Sequence, residues 1–319
     1  MNNYITDSKK AVEFHHERGH KVLMIGQPLA GTHTAVPKAT YISCINLFNP
    51  LAMIDLLQRY KVASTIKILG DFPIDANRNR FVDDALAAGA DYLMFMDMDM
   101  TFPSDALQNL FEIISDQCPI VSGMYFLKKE PYSPVMGRYV EWDDDLRPYK
   151  NAYDKLGFVH PDGRQLVMWR AFSYFDRHVP FRADVIGLGC VLMRAEVFKD
   201  LEYPYFHYSQ DPRPEHKHKT MYEVMPFCAQ LAKKNIPIFI DPRVQCGHIT
   251  SIDSNVQIFE SYRDSQFALT ARQKPEEFHK IQKLLVDVRE EKRNGSRIKA
   301  ITNSNGACRK SYPAKIASV

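Results

Sequence analysis

The sequence lacks the features that would place the chain across a membrane or in an oxidising compartment. It contains no run of about 18 consecutive apolar residues, and residues 1–10 are too polar for a signal peptide. The six cysteines are widely spaced and form no CxxC pair, so we expect reduced thiols. With 45% hydrophobic and 25% charged residues, the composition indicates a globular protein, and we predict a cytoplasmic one.

Several common catalytic signatures are also absent. The sequence holds no HExxH, Walker A or GxSxG motif, and the IGQPLAG stretch that begins at Ile25 lacks the glycine and lysine spacing of a P-loop. The net charge of +3 is small but unevenly placed, because residues 292–319 contain seven basic residues and no acidic one. This stretch reads as a flexible basic tail, either solvated or in contact with a polyanion.

Strands and helices alternate in the first part of the chain. Apolar strand patterns occur at residues 21–26, 64–69 and 91–96, and helical patterns lie between them, one broken at Pro50 and one ending before Gly89. Three such units with short connections predict an α/β fold with a mostly parallel, doubly wound sheet flanked by helices.

Two aspartates one residue apart end the most apolar strand. The run Tyr92–Phe102 contains Asp97 and Asp99, and side chains at i and i+2 of a strand point the same way. Because the carboxyl ends of parallel strands open onto the ligand crevice, the two carboxylates can converge there on one divalent cation and bind a phosphate or diphosphate. The alternative is that these aspartates cap the helix that starts near Ser104.

Residues 128–184 are aromatic, charged and without a clean period, which is typical of long loops and hairpins over the open edge of a sheet. Trp142 and Trp169 are the stacking candidates for an acceptor, although either ring can instead fill a small core. The following stretch VIGLGCVLMR is typical of a strand. Its Gly187 and Gly189 indicate a close backbone approach to a ligand, or a bulge.

Four stretches, in this order, resemble a known family. They are RNRFVDDALAAGADYLMFMDMDMTFP from Arg78, SGMYF from Ser122, VIGLGCVLMRAEVF from Val185, and YEVMPFCAQLAKKNIPIFIDPRVQCGHI from Tyr222. The chain is similar here to nucleotide-sugar glycosyltransferases of the GT-A fold, in their family-2-like bacterial and phage branch, over roughly residues 20–250. The resemblance implies a catalytic domain over residues 1–260, with a nucleotide-sugar and metal half at 20–127 and an acceptor half at 128–260. We expect a helical and basic extension at 261–319.

In such enzymes the DxD aspartates hold Mn²⁺ or Mg²⁺ against the diphosphate of the sugar donor, and the match falls on Asp97 and Asp99. The resemblance also implies that His248 is a further metal ligand, although an ordinary polar residue remains an alternative. It implies that Arg78 and Asn79 open a helix beside the sugar donor; the alternative for this pair is a plain surface helix start.

Weaker matches imply where the nucleoside would rest. These positions are Ile25, Gln27, Pro28 and Asp71. The family frequently has an acidic pair four residues before Phe-Cys, and here only Glu223 survives, followed by Val224. Glu223 is therefore the candidate general base, and inversion by direct displacement would follow. If Glu223 instead binds the acceptor or caps its helix, a retaining mechanism stays open.

The sequence therefore predicts a metal-dependent glycosyltransferase that uses a nucleotide-sugar, expected to be a UDP-sugar. The acceptor hydroxyl would belong to a glycan, or to a hydroxylated base in phage DNA that the basic tail could contact. Two alternatives remain: a nucleotidyltransferase, and a catalytically silent module that binds sugar or nucleic acid.

Overall fold

The computed structural model describes residues 2–28, 37–70, 73–128, 132–141, 166–171, 175–210, 220–249, 256–257, 259–261 and 263–264. Asp71, Trp142 and the basic tail, on which predictions were made, lie outside these residues. The first half runs α1 (Asn2–His16), β1 (Lys21–Pro28), α2 (Lys38–Leu47), α3 (Pro50–Tyr60), β2 (Val62–Leu69), α4 (Ile74–Ala88), β3 (Tyr92–Met96), β4 (Met100–Thr101), α5 (Ala106–Ile113) and β5 (Ile120–Met124).

The second half is richer in short strands. It runs β6 (Met136–Glu141), β7 (Leu166–Ala171), β8 (Phe181–Ala183), β9 (Val185–Ile186), β10 (Cys190–Arg194), a 3-10 helix (Ala195–Asp200), β11 (Ser209–Gln210), β12 (Thr220–Met221), α6 (Val224–Lys233), β13 (Ile238–Gln245) and β14 (Gly247–His248).

Seven strands form the central sheet in the order β2-β1-β3-β10-β5-β13-β8. The pairs β1–β2, β1–β3 and β5–β13 are parallel, whereas β10 is antiparallel to both β3 and β5, and β8 is antiparallel to β13. The predicted α/β class with a mostly parallel, helix-flanked sheet is confirmed. The antiparallel insertion of β10 next to β3 is a feature that the sequence pattern did not predict.

The sheet separates two apolar cores. One contains Val22 of β1 with Phe81 of α4, and the other contains Leu23 of β1 with Leu47 of α2 and Leu56 of α3. Successive side chains of a strand point to opposite faces, so β1 supplies both cores in alternation. A strand covered by helices on both faces must be apolar throughout, and β3 is buried at every position.

Local sequence signals set the helix boundaries near the site. The predicted break at Pro50 is confirmed, because Asn49 caps α3 by accepting a hydrogen bond from the Ala52 amide at 3.0 Å. Helix α4 ends at Ala88, and its C-cap is Gly89, as predicted, with a φ of 83° that favours glycine. None of the described helices is long and apolar enough by itself to span a membrane; α2 and α3 reach that length and composition only jointly, across a 45° bend.

The stretch VIGLGCVLMR is not one strand, as the pattern predicted, but two. Residues 185–186 form β9, which pairs with β6 in a three-stranded sheet, and residues 190–194 form β10 in the central sheet. Gly187 and Gly189 lie between them because the Tyr125 side chain passes there. A Cβ on Gly187 would lie 1.8 Å from the Tyr125 hydroxyl, and one on Gly189 would lie 2.3 Å from the Met100 sulfur.

Candidate functional site

A buried arginine joins two of the predicted site residues. Arg78 of α4 donates from one terminal nitrogen to Asp97 Oδ1 at 2.8 Å and from the other to Glu223, which precedes α6. The Arg78 side chain is only 3% exposed. The prediction that Arg78 and Asn79 open a helix is wrong, because α4 begins at Ile74. The alternative of a plain surface helix start is also wrong, because the Arg78 charge lies inside the fold, at the carboxyl end of β3.

The electrostatics of this cluster favour a permanently charged guanidinium. Burial lowers the pKa of Arg78, but the carboxylates of Asp97 and Glu223 raise it by more, so the net pKa is above its ordinary value. The guanidinium also lies over the Phe95 ring, 5.8 Å from its centroid. Two carboxylates share one cation here, so the cluster carries a net negative charge.

The second aspartate lies beside a histidine and a lysine. Asp99 Oδ2 is 3.6 Å from His248 Nε2 and 2.5 Å from Lys128 Nζ. Strand pairing brings His248 there, because β14 runs antiparallel to β4 and sets His248 opposite Met100. Burial raises the pKa of the Asp99 carboxyl, but His248 and Lys128 lower it by more, so Asp99 is held as a carboxylate.

A hydrogen bond between His248 Nδ1 and the backbone leaves Nε2, on the side of Asp99, as the nitrogen that can bind a metal. His248 Nδ1 lies 2.7 Å from the carbonyl oxygen of Phe126, and a carbonyl only accepts, so Nδ1 carries the proton. Without a metal, only a proton on Nε2 makes its approach to the Asp99 carboxylate favourable; with a metal between them, the neutral ring would offer the Nε2 lone pair to the ion. A carbonyl acceptor behind the ring is the usual arrangement for a metal-ligating histidine.

The donor set fits a hard or borderline divalent cation. Asp99 contributes carboxylate oxygen and His248 imidazole nitrogen, a combination that suits Mn²⁺ better than Mg²⁺. Within the described part of the chain, no three His, Cys, Asp or Glu side chains are close enough to hold a metal by themselves. An ion here would take its remaining ligands from water and a diphosphate, which is common for nucleotide-bound metals.

Neither aspartate caps the following helix. The N-cap position of α5 belongs to Asp105, and no side-chain cap bond is formed there. Asp97 and Asp99 instead bind the cationic groups described above. The alternative interpretation of the DxD pair as a helix cap is therefore wrong.

Asn79 has a structural role. Its Nδ2 donates to the carbonyl oxygens of Asp75 and Phe206 at 2.9 and 2.6 Å, and its Oδ1 accepts from the Phe206 amide at 3.0 Å. The side chain thus joins α4 to the segment before β11. Its predicted contact with the sugar donor stays a prediction, and any such contact would compete with these three bonds.

The predicted nucleoside positions on β1, Ile25, Gln27 and Pro28, are all buried. Ile25 is fully buried in a core, and Gln27 is 6% exposed and donates to Cys44 Sγ at 3.5 Å. Pro28 ends the strand and pairs with Leu69. Since Gly26 pairs with Phe95, the end of β1 lies beside the end of β3, where the cluster around Asp97 is found.

Of the predicted acceptor residues, the structure describes Gly187, Gly189 and Trp169. Gly187 and Gly189 are buried against Tyr125, and the Gly189 carbonyl accepts from the Asp97 amide at 3.0 Å while its own amide donates to the Tyr125 hydroxyl at 3.2 Å. Trp169 is on β7, opposite Tyr139 of β6. Acceptor binding by these residues stays a prediction. In the structure, both glycines leave room for the Tyr125 side chain to pack against the backbone.

Sequence reasoning did not identify Lys128, Tyr125 or Thr40 as site residues. Thr40 of α2 donates to the Met98 carbonyl at 2.9 Å and so holds the DxD segment from behind. Burial and the Asp97 charge raise the pKa of Tyr125, which therefore stays neutral. Tyr125 and Lys128 follow β5 closely, and β5 lies two strands from β3 in the sheet, so only the strand order reveals their proximity.

No protein-family model and no curated protein matches the chain. Similar solved structures include A197 from STIV, with 15% identity over 73% of this chain and 87% of that chain and a TM-score of 0.40. Apo UDP-glucose pyrophosphorylase shares 10% identity over 82% and 86%, with a TM-score of 0.34. HddC from Yersinia pseudotuberculosis shares 10% identity over 77% and 99%, with a TM-score of 0.30. Likenesses of this size do not establish a common function.

Proposed function

We propose that the protein is a metal-dependent glycosyltransferase that moves a sugar from a nucleotide-sugar, expected to be a UDP-sugar, to an acceptor hydroxyl. The observation that carries the proposal is the meeting of Asp99 with His248 Nε2 at the end of β3, beside the Asp97–Arg78–Glu223 cluster. These residues come from distant parts of the sequence, and they combine ligands for a cation with a buried cluster of two carboxylates and one guanidinium.

In this proposal Asp99 and His248 hold Mn²⁺ or Mg²⁺ against the diphosphate. The ion would neutralise the charge that develops on the nucleoside diphosphate as the glycosidic bond breaks. Arg78 keeps Asp97 in place and Lys128 adds a cation that can move from Asp99 to a phosphate oxygen. The negative charge of Asp97 would also attract the metal ion, and Asp97 can keep its hydrogen bond to Arg78 while it does so.

Glu223 is the proposed general base for the acceptor hydroxyl. No side-chain cap bond ties it to α6, so its carboxylate is committed to Arg78 rather than to its own helix. Its side chain is 7% exposed, and an acceptor would have to enter the fold to reach it. A base at this position would support attack from the acceptor side and inversion at the anomeric carbon.

The experiment is ligand-observed NMR of the full chain with a panel of nucleotide-sugars, with Mn²⁺ and then with excess chelator. We expect metal-dependent binding and slow hydrolysis of one nucleotide-sugar, and a decrease of about 100-fold or more in Asp99→Asn, because the metal loses a charged ligand. The matched control is Asp105→Asn, which changes an exposed carboxylate without a cap bond.

Two results would contradict the proposal. Hydrolysis at equal rates in wild type and Asp99→Asn would remove the metal site from the chemistry, and binding without any turnover would favour the silent binding module. Pyrophosphate release from a nucleoside triphosphate and a sugar phosphate, monitored in the same samples by ³¹P NMR, would assign the nucleotidyltransferase alternative instead.

A further inference from the structure

Helix α2 buries polar residues and exposes apolar ones. Thr40 and Ser43 are at most 8% exposed, whereas Tyr41, Ile42 and Ile45 are 61%, 46% and 52% exposed. A helix on the surface of a globular domain normally has the opposite arrangement, with its apolar stripe facing the core. The inversion leaves a large apolar surface in water, which is characteristic of a binding surface.

Hydrogen bonds explain why α2 does not turn its apolar face inward. Thr40 Oγ1 donates to the Met98 carbonyl at 2.9 Å, and Ser43 Oγ donates to the Thr40 carbonyl at 2.9 Å. Leu47 is fully buried on the same side. Rotation of the helix would break the bond to the DxD segment and expose Leu47, so the outward orientation of Ile42 and Ile45 is fixed by the fold.

Helix α3 extends this surface. Leu51 and Ile54 are 79% and 49% exposed, while Leu56 on the other side of the helix is buried in the same core as Leu47. We call the set Tyr41, Ile42, Ile45, Leu51 and Ile54 the apolar patch. Because Leu47 and Leu56 pack both helices onto the sheet, the apolar patch faces away from the core.

The charge around the apolar patch indicates which kind of surface it fits. On and beside α2 and α3 the acidic residues Asp55 and Glu112 are both paired with Arg59, at 3.4 and 3.7 Å. Lys38 at the start of α2 and Lys61 after α3 are both exposed. Apolar side chains flanked by cations, with one aromatic residue among them, are the composition of helices that lie in the interface of anionic membranes.

We propose that α2 and α3 form a docking surface for an anionic lipid bilayer, with the apolar patch inserted among the lipid headgroups and acyl chains. Lys38 and Lys61 then contact lipid phosphates. Thr40 links this surface to Met98, so docking would hold the DxD segment close to the membrane. A lipid-linked acceptor would be consistent with that position, and this last step alone rests on the proposed glycosyltransfer.

The test is co-sedimentation of the full chain with phosphatidylcholine vesicles and with vesicles that also contain about 30% phosphatidylglycerol. The test variant is Ile42→Glu/Ile45→Glu. The matched control is Phe14→Glu, since Phe14 is 49% exposed but belongs to α1, which packs with α4 on the opposite face of the sheet. Both substitutions are at exposed positions, and thermal unfolding verifies that both variants fold.

We expect wild type and Phe14→Glu to bind the anionic vesicles, and the double variant to bind at least about tenfold more weakly. Equal binding of wild type and the double variant would overturn the proposal and assign any lipid binding to another region, such as the basic tail. No vesicle binding by wild type would also overturn it, and a dimer by light scattering that the double variant does not form would assign the apolar patch to a second copy. The assay contains no metal or nucleotide-sugar, so its outcome is independent of the proposed activity.

Discussion

At the scale of single residues, Arg78 is the residue on which the site depends most. Its guanidinium is buried between Asp97 and Glu223, and its Nε has no hydrogen-bond partner among the described residues. Removing the cation would leave two carboxylates close together in a region of low dielectric. An uncompensated buried charge of this kind is strongly destabilising, whereas removing both members of a buried pair costs much less.

We therefore predict that Arg78→Met lowers the free energy of unfolding by about 3–5 kcal/mol, measured by urea denaturation. The double variant Arg78→Met/Glu223→Gln should recover part of this decrease, because one of the two carboxylates is gone. A single variant within about 1 kcal/mol of wild type would show that the ion pairs contribute little to stability.

The sequence singled out the polar residues at the end of β3 better than their neighbours. Asp97 and Asp99 were identifiable because an apolar strand ends at them, and the resemblance added His248. Lys128 was not identifiable, because it follows β5 without any periodic pattern and reaches Asp99 only through the strand order of the folded sheet. Glu223 was predicted to be a base, which stays a prediction, and its pairing with Arg78 could not be inferred from either local sequence.

At the scale of elements, the connection between β9 and β10 shows where local pattern fails. Its apolar composition is that of one strand, but the ring of Tyr125 occupies the space beside Gly187 and Gly189. The chain therefore changes from one sheet to another at these glycines. A local sequence pattern reports only the side chains of the strand itself. It contains no information about the Tyr125 ring, which belongs to the residue that follows β5.

This packing gives a double-mutant prediction. Gly187→Ala should destabilise the protein by about 1–3 kcal/mol, because the new methyl group would overlap the Tyr125 hydroxyl. In the Tyr125→Phe background the cost of Gly187→Ala should be smaller, since the overlapping oxygen is absent. Urea denaturation of the four proteins gives the coupling energy, and a coupling near zero would mean that Tyr125 moves away freely.

At the scale of the whole molecule, strand order explains how one site is built from distant segments. The antiparallel strand β10 separates β3 from β5, and the ribbon of β4 and β14 brings the end of β13 back to the DxD segment. The sequence predicted the class of the sheet from three βα units. It did not predict the pairing of two-residue strands, because such pairs leave almost no pattern of their own.

Choice of acceptor depends on the surface of the whole molecule. The seven basic residues after Glu291 allow a test of whether the acceptor is DNA. A DNA acceptor predicts salt-sensitive retention of the full chain on duplex DNA. It also predicts that replacing the seven basic residues with glutamine lowers the slope of log K against log salt by about 0.9 for each phosphate that the tail no longer neutralises. Fluorescence anisotropy over a range of salt concentrations measures this slope, and the Ile42→Glu/Ile45→Glu variant is the control because it keeps the tail intact. An unchanged slope would exclude the tail as the DNA-binding segment, and a lack of any retention on DNA at low salt would leave a glycan or a lipid-linked sugar as the acceptor to pursue.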